Sequence, residues 1–316
     1  MASLGIAIGT VFSLLILLPY FVFTNVLATH ETMPVISTDC YSYYFYHYCS
    51  LYATTGIVPG LEVGQCIDEV SVYVHGWLES RESAIDKFNI VKVALDDNNY
   101  RGAIVGFHWT SNAYWYYAKA YADLSGGRLA EFIRDFKIAC EETQLRIIGH
   151  SLGAQVILNA LDYLRNDSIW NNRGYTISSV HLLGAAVDDE EISARSSFRN
   201  AIQNEVEEFH NKFNPQDDML EGDYRTVEQD TALGENGADR NVPWPSTYEQ
   251  EDVLDEISRD SDGDGVEDDE VNCGDNHNGY IGVVNANGLL TDDGAMDEVV
   301  SDWTGDTSRV AVSDCR

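Results

Sequence analysis

The pentapeptide Gly149-His150-Ser151-Leu152-Gly153 constrains this chain more than any other stretch of it. It follows the short apolar run Leu145-Arg146-Ile147-Ile148, which reads as a buried strand. It precedes Ala154-Gln155-Val156-Ile157-Leu158-Asn159-Ala160-Leu161, where apolar residues recur at helical spacing. A chain that passes from strand to helix this abruptly must turn sharply, and side chains two positions either side of the turning residue would clash. Glycine at 149 and 153 removes the conflict and leaves Ser151 Oγ standing clear of the backbone. The first turn of the helix has N–H groups without intrahelical acceptors, so the Leu152 N–H is available to a developing oxyanion. The spacing therefore predicts a serine nucleophile on a strand-turn-helix elbow.

Strands and helices alternate around this unit. Val70–Val74 reads as the first clear core strand, followed by a helix over Ser83–Leu95 and a strand over Ala103–Phe107. Helical patterns then cover Ala113–Ala122 and Gly127–Glu141, split at Ser125-Gly126-Gly127, and further strands cover Ile177–Leu183 and Val206–Phe213. Such alternation predicts an α/β fold, a mostly parallel sheet flanked by helices on both faces, with ligands at the carboxyl ends of the strands.

Three segments carry a resemblance: Tyr73-Val74-His75-Gly76-Trp77, Ile104-Val105-Gly106-Phe107-His108-Trp109, and Ile148-Gly149-His150-Ser151-Leu152-Gly153. Their order and spacing resemble the α/β-hydrolase superfamily, and their details its lipase- and esterase-like members, over residues 68–305. The His75-Gly76 turn resembles the one that gives this superfamily its second oxyanion N–H, which by position is that of Trp77. The superfamily's chain order is nucleophile, then acid, then histidine. Of the histidines after Ser151, His181 and His210 fall inside strands and read as structural. His277, in a late loop before the final helix, matches the position of the base. Asp217, just past a strand end in Asn214-Pro215-Gln216-Asp217-Asp218, resembles the acid position, with Asp218 as its alternative. Asp188 and Asp189 fit the other placement of the acid known among lipases. The resemblance implies hydrolysis of carboxylic esters, lipids among them, through an acyl-enzyme and without an organic cofactor. The competing class is a non-catalytic cell-surface protein that binds a partner on a hydrolase scaffold.

Outside the core domain (67–305) the sequence divides into an apolar leader (1–29), a tyrosine- and cysteine-rich extension (30–66) and a tail (306–316). The leader contains no charged residue, and Leu4 to Leu18 is almost unbroken aliphatic. That length suits a membrane-spanning anchor, while Val26-Leu27-Ala28 resembles a signal cleavage site. Both readings put the domain outside the cytoplasm, either secreted or at the outer face of the membrane. Among the six cysteines, Cys40 and Cys49 bracket a short segment that they could close, Cys273 and Cys315 could tie the tail to the His277 loop, and Cys140 reads as a buried thiol.

Charge sets the solvent and the excluded partners. With 52 acids against 19 bases, the formal net charge is −33. Such a chain repels itself in dilute buffer and is screened in molar salt, which points to a salt-loving source such as a haloarchaeon. The absence of a basic patch excludes nucleic acid as a partner. Within an acidic insertion at about 249–272, Asp260, Asp262, Asp264 and Asp268 occupy positions 1, 3, 5 and 9 of a calcium-type loop. Gly265 stands at position 6 and the Val266 carbonyl at position 7, whereas Val271 replaces the usual closing glutamate. A structural calcium ion bracing the loop before His277 is the expectation.

Overall fold

The computed structural model of the protein describes residues 33–44, 46–61, 65–193, 196–257 and 277–306. The apolar leader, the calcium-type loop Asp260–Asp268, Cys273 and Cys315 lie outside the described residues. Among the described residues no helix is long and apolar enough to cross a membrane.

The strands are β1 (Val35–Ser37), β2 (Cys40–Tyr43), β3 (Tyr46–Cys49), β4 (Ala53–Thr55), β5 (Glu69–Val74) and β6 (Ala103–His108). They continue as β7 (Gln144–His150), β8 (Ile177–Leu183), β9 (Val206–Phe213), β10 (Tyr248–Asp252), β11 (Val283–Val284) and β12 (Leu290–Asp292). The helices are α1 (Arg81–Asp97), α2 (Trp115–Ala139), α3 (Gly153–Arg165), α4 (Ser168–Arg173), α5 (Phe198–Glu205), α6 (Arg225–Glu228), α7 (Leu233–Asn236) and α8 (Met296–Thr304). Eight strands form one sheet in the order β10-β9-β8-β7-β5-β6-β1-β4, parallel throughout except for β4 at the edge.

Alternation along the strands explains the two layers of core. In β5, Val70, Val72 and Val74 face α2 and α3, with Phe132, Leu129 and Ile157 in the same apolar cluster. Tyr73 faces the other way, into a second cluster with Phe88 and Val91 of α1 and Met296 and Val299 of α8. A sheet buried on both faces needs apolar residues of both parities, which is why these strands read as nearly continuous hydrophobic runs. Helix α1 begins where Ser80 Oγ accepts the Ser83 N–H at 3.1 Å, and it buries Ala84, Phe88, Val91 and Leu95 along one stripe.

Three local expectations change. The glycines at 126 and 127 do not break the helix: α2 runs unbroken, and a Cβ on Gly126 would lie 2.5 Å from Asn159 Cβ and 2.8 Å from the Val156 carbonyl oxygen. Gly126 is where α2 and α3 touch backbone to backbone, so the residue serves packing rather than termination. Cys140 is not a thiol. It is bonded to Cys66, because the end of α2 returns to the segment that enters β5. The extension, finally, shares the domain's own sheet: β1 pairs with β6 in parallel and β4 pairs with β1. Its tyrosines occupy the β2–β3 hairpin, which Cys40–Cys49 closes as the spacing suggested, and Tyr41, Tyr43, Tyr46 and Tyr48 are exposed on it.

Candidate active site

The carboxyl ends of β5, β7 and β9, with the late loop that holds His277, supply the candidate residues. β7 ends at His150, and Ser151 follows with φ of +55°, in the left-handed region that a residue with a Cβ enters only at a cost. Neighbouring strand ends hold it there: the Ser151 N–H donates to the Leu183 carbonyl at 3.0 Å, and the Ala186 N–H donates to the Ser151 carbonyl at 3.2 Å. The flanking glycines allow the fit. A Cβ on Gly153 would sit 2.5 Å from the Val74 carbonyl oxygen, and one on Gly149 would collide with Ile157 Cδ1. Leu152 caps α3 and is fully buried, so its N–H sits at the free end of the helix beside the serine.

The turn after β5 lies directly against the nucleophile. A Cβ on Gly76 would be 2.7 Å from Ser151 Cβ and 3.2 Å from Ser151 Oγ. His75 shapes this turn. Its ring is fully buried, and burial, aided by His108, pulls its pKa down to about 3, so the imidazole is neutral. Nδ1–H donates to the Gly76 carbonyl at 2.9 Å, while Nε2 accepts from the Trp109 N–H at 3.2 Å and faces His108 Nδ1 at 3.1 Å. Trp109 Nε1–H returns a bond to the His75 carbonyl at 2.9 Å. These bonds clamp the strand that presents Trp77, whose own indole donates to the Ala113 carbonyl at 2.8 Å.

The third set of groups arrives from β9 and the late loop. Asp217 is fully buried four residues past the end of β9, and its Oδ2 accepts from His277 Nδ1–H at 2.7 Å. Two more donors fix the carboxylate: the Leu220 N–H to Oδ1 at 3.1 Å and the Tyr280 hydroxyl to Oδ2 at 3.3 Å. With Nδ1–H donated to Asp217, the His277 ring is held in the tautomer that keeps Nε2 free of its proton. That Nε2 is buried and has no hydrogen-bond partner among the described residues. Asp218, the alternative acid, is exposed. Asp188 accepts the Tyr224 hydroxyl at 2.5 Å instead of a histidine, and Asp189 lies in an acidic group with Glu190 and Asp230.

A cavity of about 240 Å³ opens beside Ser151, walled by Trp77, Trp115, Ala186, Leu220 and Tyr224. Trp77 and Trp115 meet edge-on at 4.9 Å. Glu228 latches this wall, accepting from the Trp115 indole N–H and pairing with Lys119 at 2.8 Å. A larger cavity of about 400 Å³ lies by β3, α2 and α3 and includes none of the candidate residues.

His181 and His210 fall where their strand positions suggested, away from the serine. They stack at 4.5 Å on adjacent strands, with Asp302 Oδ2 3.1 Å from His181 Nε2 and 3.3 Å from His210 Nδ1. These three ligand-type residues are close enough for a metal ion, but Lys212 Nζ stands 2.7 Å from the same oxygen and already supplies the positive charge. The expected calcium ligands Asp260, Asp262, Asp264, Val266 and Asp268 lie outside the described residues.

A family model described as "Alpha/beta hydrolase of unknown function (DUF900)" matches residues 63–251. No curated protein matches the chain at a significant level. Among solved structures, the catalytic core domain of acetyl xylan esterase from Trichoderma reesei is 12% identical, covering 60% of this chain and 84% of its own, with a TM-score of 0.33. A cutinase-like protein from Cryptococcus sp. is 16% identical, covering 75% of this chain and 93% of its own, with a TM-score of 0.36. The esterase domain of a Rhodothermus marinus protein is 13% identical, covering 68% and 87%, with a TM-score of 0.33.

Proposed function

The chain belongs to this α/β-hydrolase family, and from that premise we propose that it is a serine hydrolase cleaving carboxylic esters through Ser151, Asp217 and His277. The observation that carries the reading is the buried pair of Asp217 and His277 at 2.7 Å, with His277 Nε2 left unpartnered among the described residues. A serine hydroxyl is too weak an acid to attack an ester unaided, so it needs a base that is itself oriented.

In the proposed reaction His277 Nε2 takes the Ser151 Oγ proton as Oγ bonds to the carbonyl carbon. The carbonyl oxygen becomes an oxyanion, stabilised by the Leu152 and Trp77 N–H groups. Collapse breaks the bond to the alcohol, which leaves with the proton from His277. A water molecule, deprotonated by His277, then attacks the acyl-enzyme; the acid departs and Ser151 recovers its proton. Throughout, Asp217 stabilises the imidazolium without accepting its proton.

Hydrolysis of p-nitrophenyl esters of rising chain length, in molar salt with calcium, tests this reading. Turnover that disappears in Ser151→Ala supports it. Equal turnover in that variant contradicts it.

The setting belongs to the same proposal. Two disulfides support a place outside the cytoplasm, secreted or held at the cell surface by residues 1–29. The charge of −33 supports a working environment of high salt, and the spacing of Asp260, Asp262, Asp264 and Asp268 supports a structural calcium ion.

A further inference from the structure

Between the nucleophile and the base lies a buried polar side chain with no part in proton transfer, that of His150. It precedes Ser151 in the elbow and is only 2% exposed. Its Nε2 is 2.8 Å from the backbone carbonyl oxygen of His277, and its ring is 4.9 Å from the His277 ring. A carbonyl accepts only from a donor, so Nε2 carries the proton and Nδ1 carries none. Nδ1 is buried without a partner among the described residues.

That arrangement is costly for a residue whose only task is to fill space. A buried nitrogen without a partner costs about 1–3 kcal/mol, which an aliphatic side chain would avoid. What the imidazole supplies in return is one bond, from the residue adjoining Ser151 to the main chain of His277. Burial, with His277 close by, holds the His150 pKa well below 6.5 and keeps the ring neutral, so the bond does not change with mild acid. The other tethers of this loop act elsewhere: Asp217 grips the His277 side chain, and Lys87 donates to Asn278 Oδ1. The His150 bond instead runs from a side chain of the elbow to the main chain of the base.

We propose that His150 is a positioning residue, whose Nε2–H bond to the His277 carbonyl sets the separation between Ser151 and the imidazole. This rests on the serine-hydrolase reading. A displacement of about 1 Å in a reacting group can cost on the order of 100-fold in rate, so the loss should appear in kcat rather than KM.

The test compares His150→Leu, His150→Gln and His150→Asn on p-nitrophenyl acetate. Gln carries an amide N–H at about the reach of Nε2, whereas the Asn amide stops at the Nδ1 position. Leu and Asn should lower kcat about 100-fold with KM within about twofold, and Gln should recover about tenfold or more of that loss. If Leu does not fold, the contrast between Gln and Asn decides. A readout independent of turnover is the downfield proton resonance of His277 Nδ1–H, sharp in wild type and Gln and broadened or lost in Leu and Asn. Unchanged kcat in Leu or Asn, or a resonance equally sharp in all variants, overturns the proposal. If wild type does not turn over, or turns over equally in Ser151→Ala, the hydrolase reading falls, and the resonance alone decides whether His150 places His277.

Discussion

His277 Nδ1 stands 2.7 Å from Asp217 Oδ2, although 60 residues separate the two in the chain. The carboxylate is fully buried, and the imidazole it orients keeps Nε2 open. Asp217→Asn should therefore lower kcat by about four orders of magnitude, because the amide favours the wrong imidazole tautomer. Asp218→Asn, at an exposed neighbour, should change kcat less than about twofold. Steady-state rates on one ester check both, and a reversed pattern would move the acid to Asp218.

The turn beside the serine has no room for a methyl group. Gly76→Ala would set a Cβ 2.7 Å from Ser151 Cβ, so either the turn or the elbow must shift. Overpacking of this kind costs about 1–3 kcal/mol. The expected outcome is a lower urea midpoint together with a loss of kcat. Full activity at unchanged stability would show that the Gly76 turn does not approach the serine as described.

The Cys66–Cys140 bond spans 74 residues and ties the end of α2 to the entry of β5. On the chain-entropy account a loop of that length contributes about 4 kcal/mol, and removal of a native disulfide costs about 2–5 kcal/mol. Cys66→Ser with Cys140→Ser should lower unfolding stability by about that amount while leaving turnover at low temperature intact. Chemical denaturation of the paired variant measures it.

Stability should peak on the acid side of neutrality, for two opposed reasons. Burial lowers the pKa of His75 and His181 to about 3 and of His108 to about 4. Below about pH 6.5 the unfolded chain binds protons that these native rings refuse, so stability is lost as pH falls toward 4. In the other direction, burial raises Glu256 to about 8 and Glu298 and Asp189 to about 7, helped by neighbouring carboxylates. These groups stay protonated in the native state where the unfolded chain has already ionised, so stability is lost as pH rises from about 4.5 toward 8. Molar salt, with a screening length of about 3 Å, should flatten the alkaline side and leave the acid side largely unchanged. Thermal midpoints from pH 4 to 9 in low and molar salt test this; a maximum at or above pH 8 in low salt would contradict it.

Much of this was legible in the sequence because it is written locally. The elbow needs glycine at fixed offsets around Ser151, and a buried strand needs a short apolar run, so β5, β6, β7, β8 and β9 could be placed from residue type alone. Asp217 and His277 followed from chain order. What escaped depends on contacts distant in the chain. Gly126 looks like a helix break until α3 is known to press on it, and Cys140 looks like a thiol until α2 is known to end beside Cys66. The pairing of β1 with β6, which draws the extension into the main sheet, has no local signal in a strand of only three residues. His150 was in plain view inside the elbow, but its role shows only once the His277 carbonyl is found 2.8 Å from its ring. Tyr280 left a fainter trace, as an aromatic residue three positions after the base, and its hydroxyl reaches the Asp217 carboxylate at 3.3 Å.

The most direct measurement is covalent labelling with a fluorophosphonate in molar salt with calcium, read as the mass shift of the peptide that contains Ser151. Wild type should label at that residue, Ser151→Ala should not label at all, and His277→Ala should label more slowly by orders of magnitude. Folded wild-type protein that takes up no label, or takes it up equally in Ser151→Ala, would contradict an activated serine at the elbow.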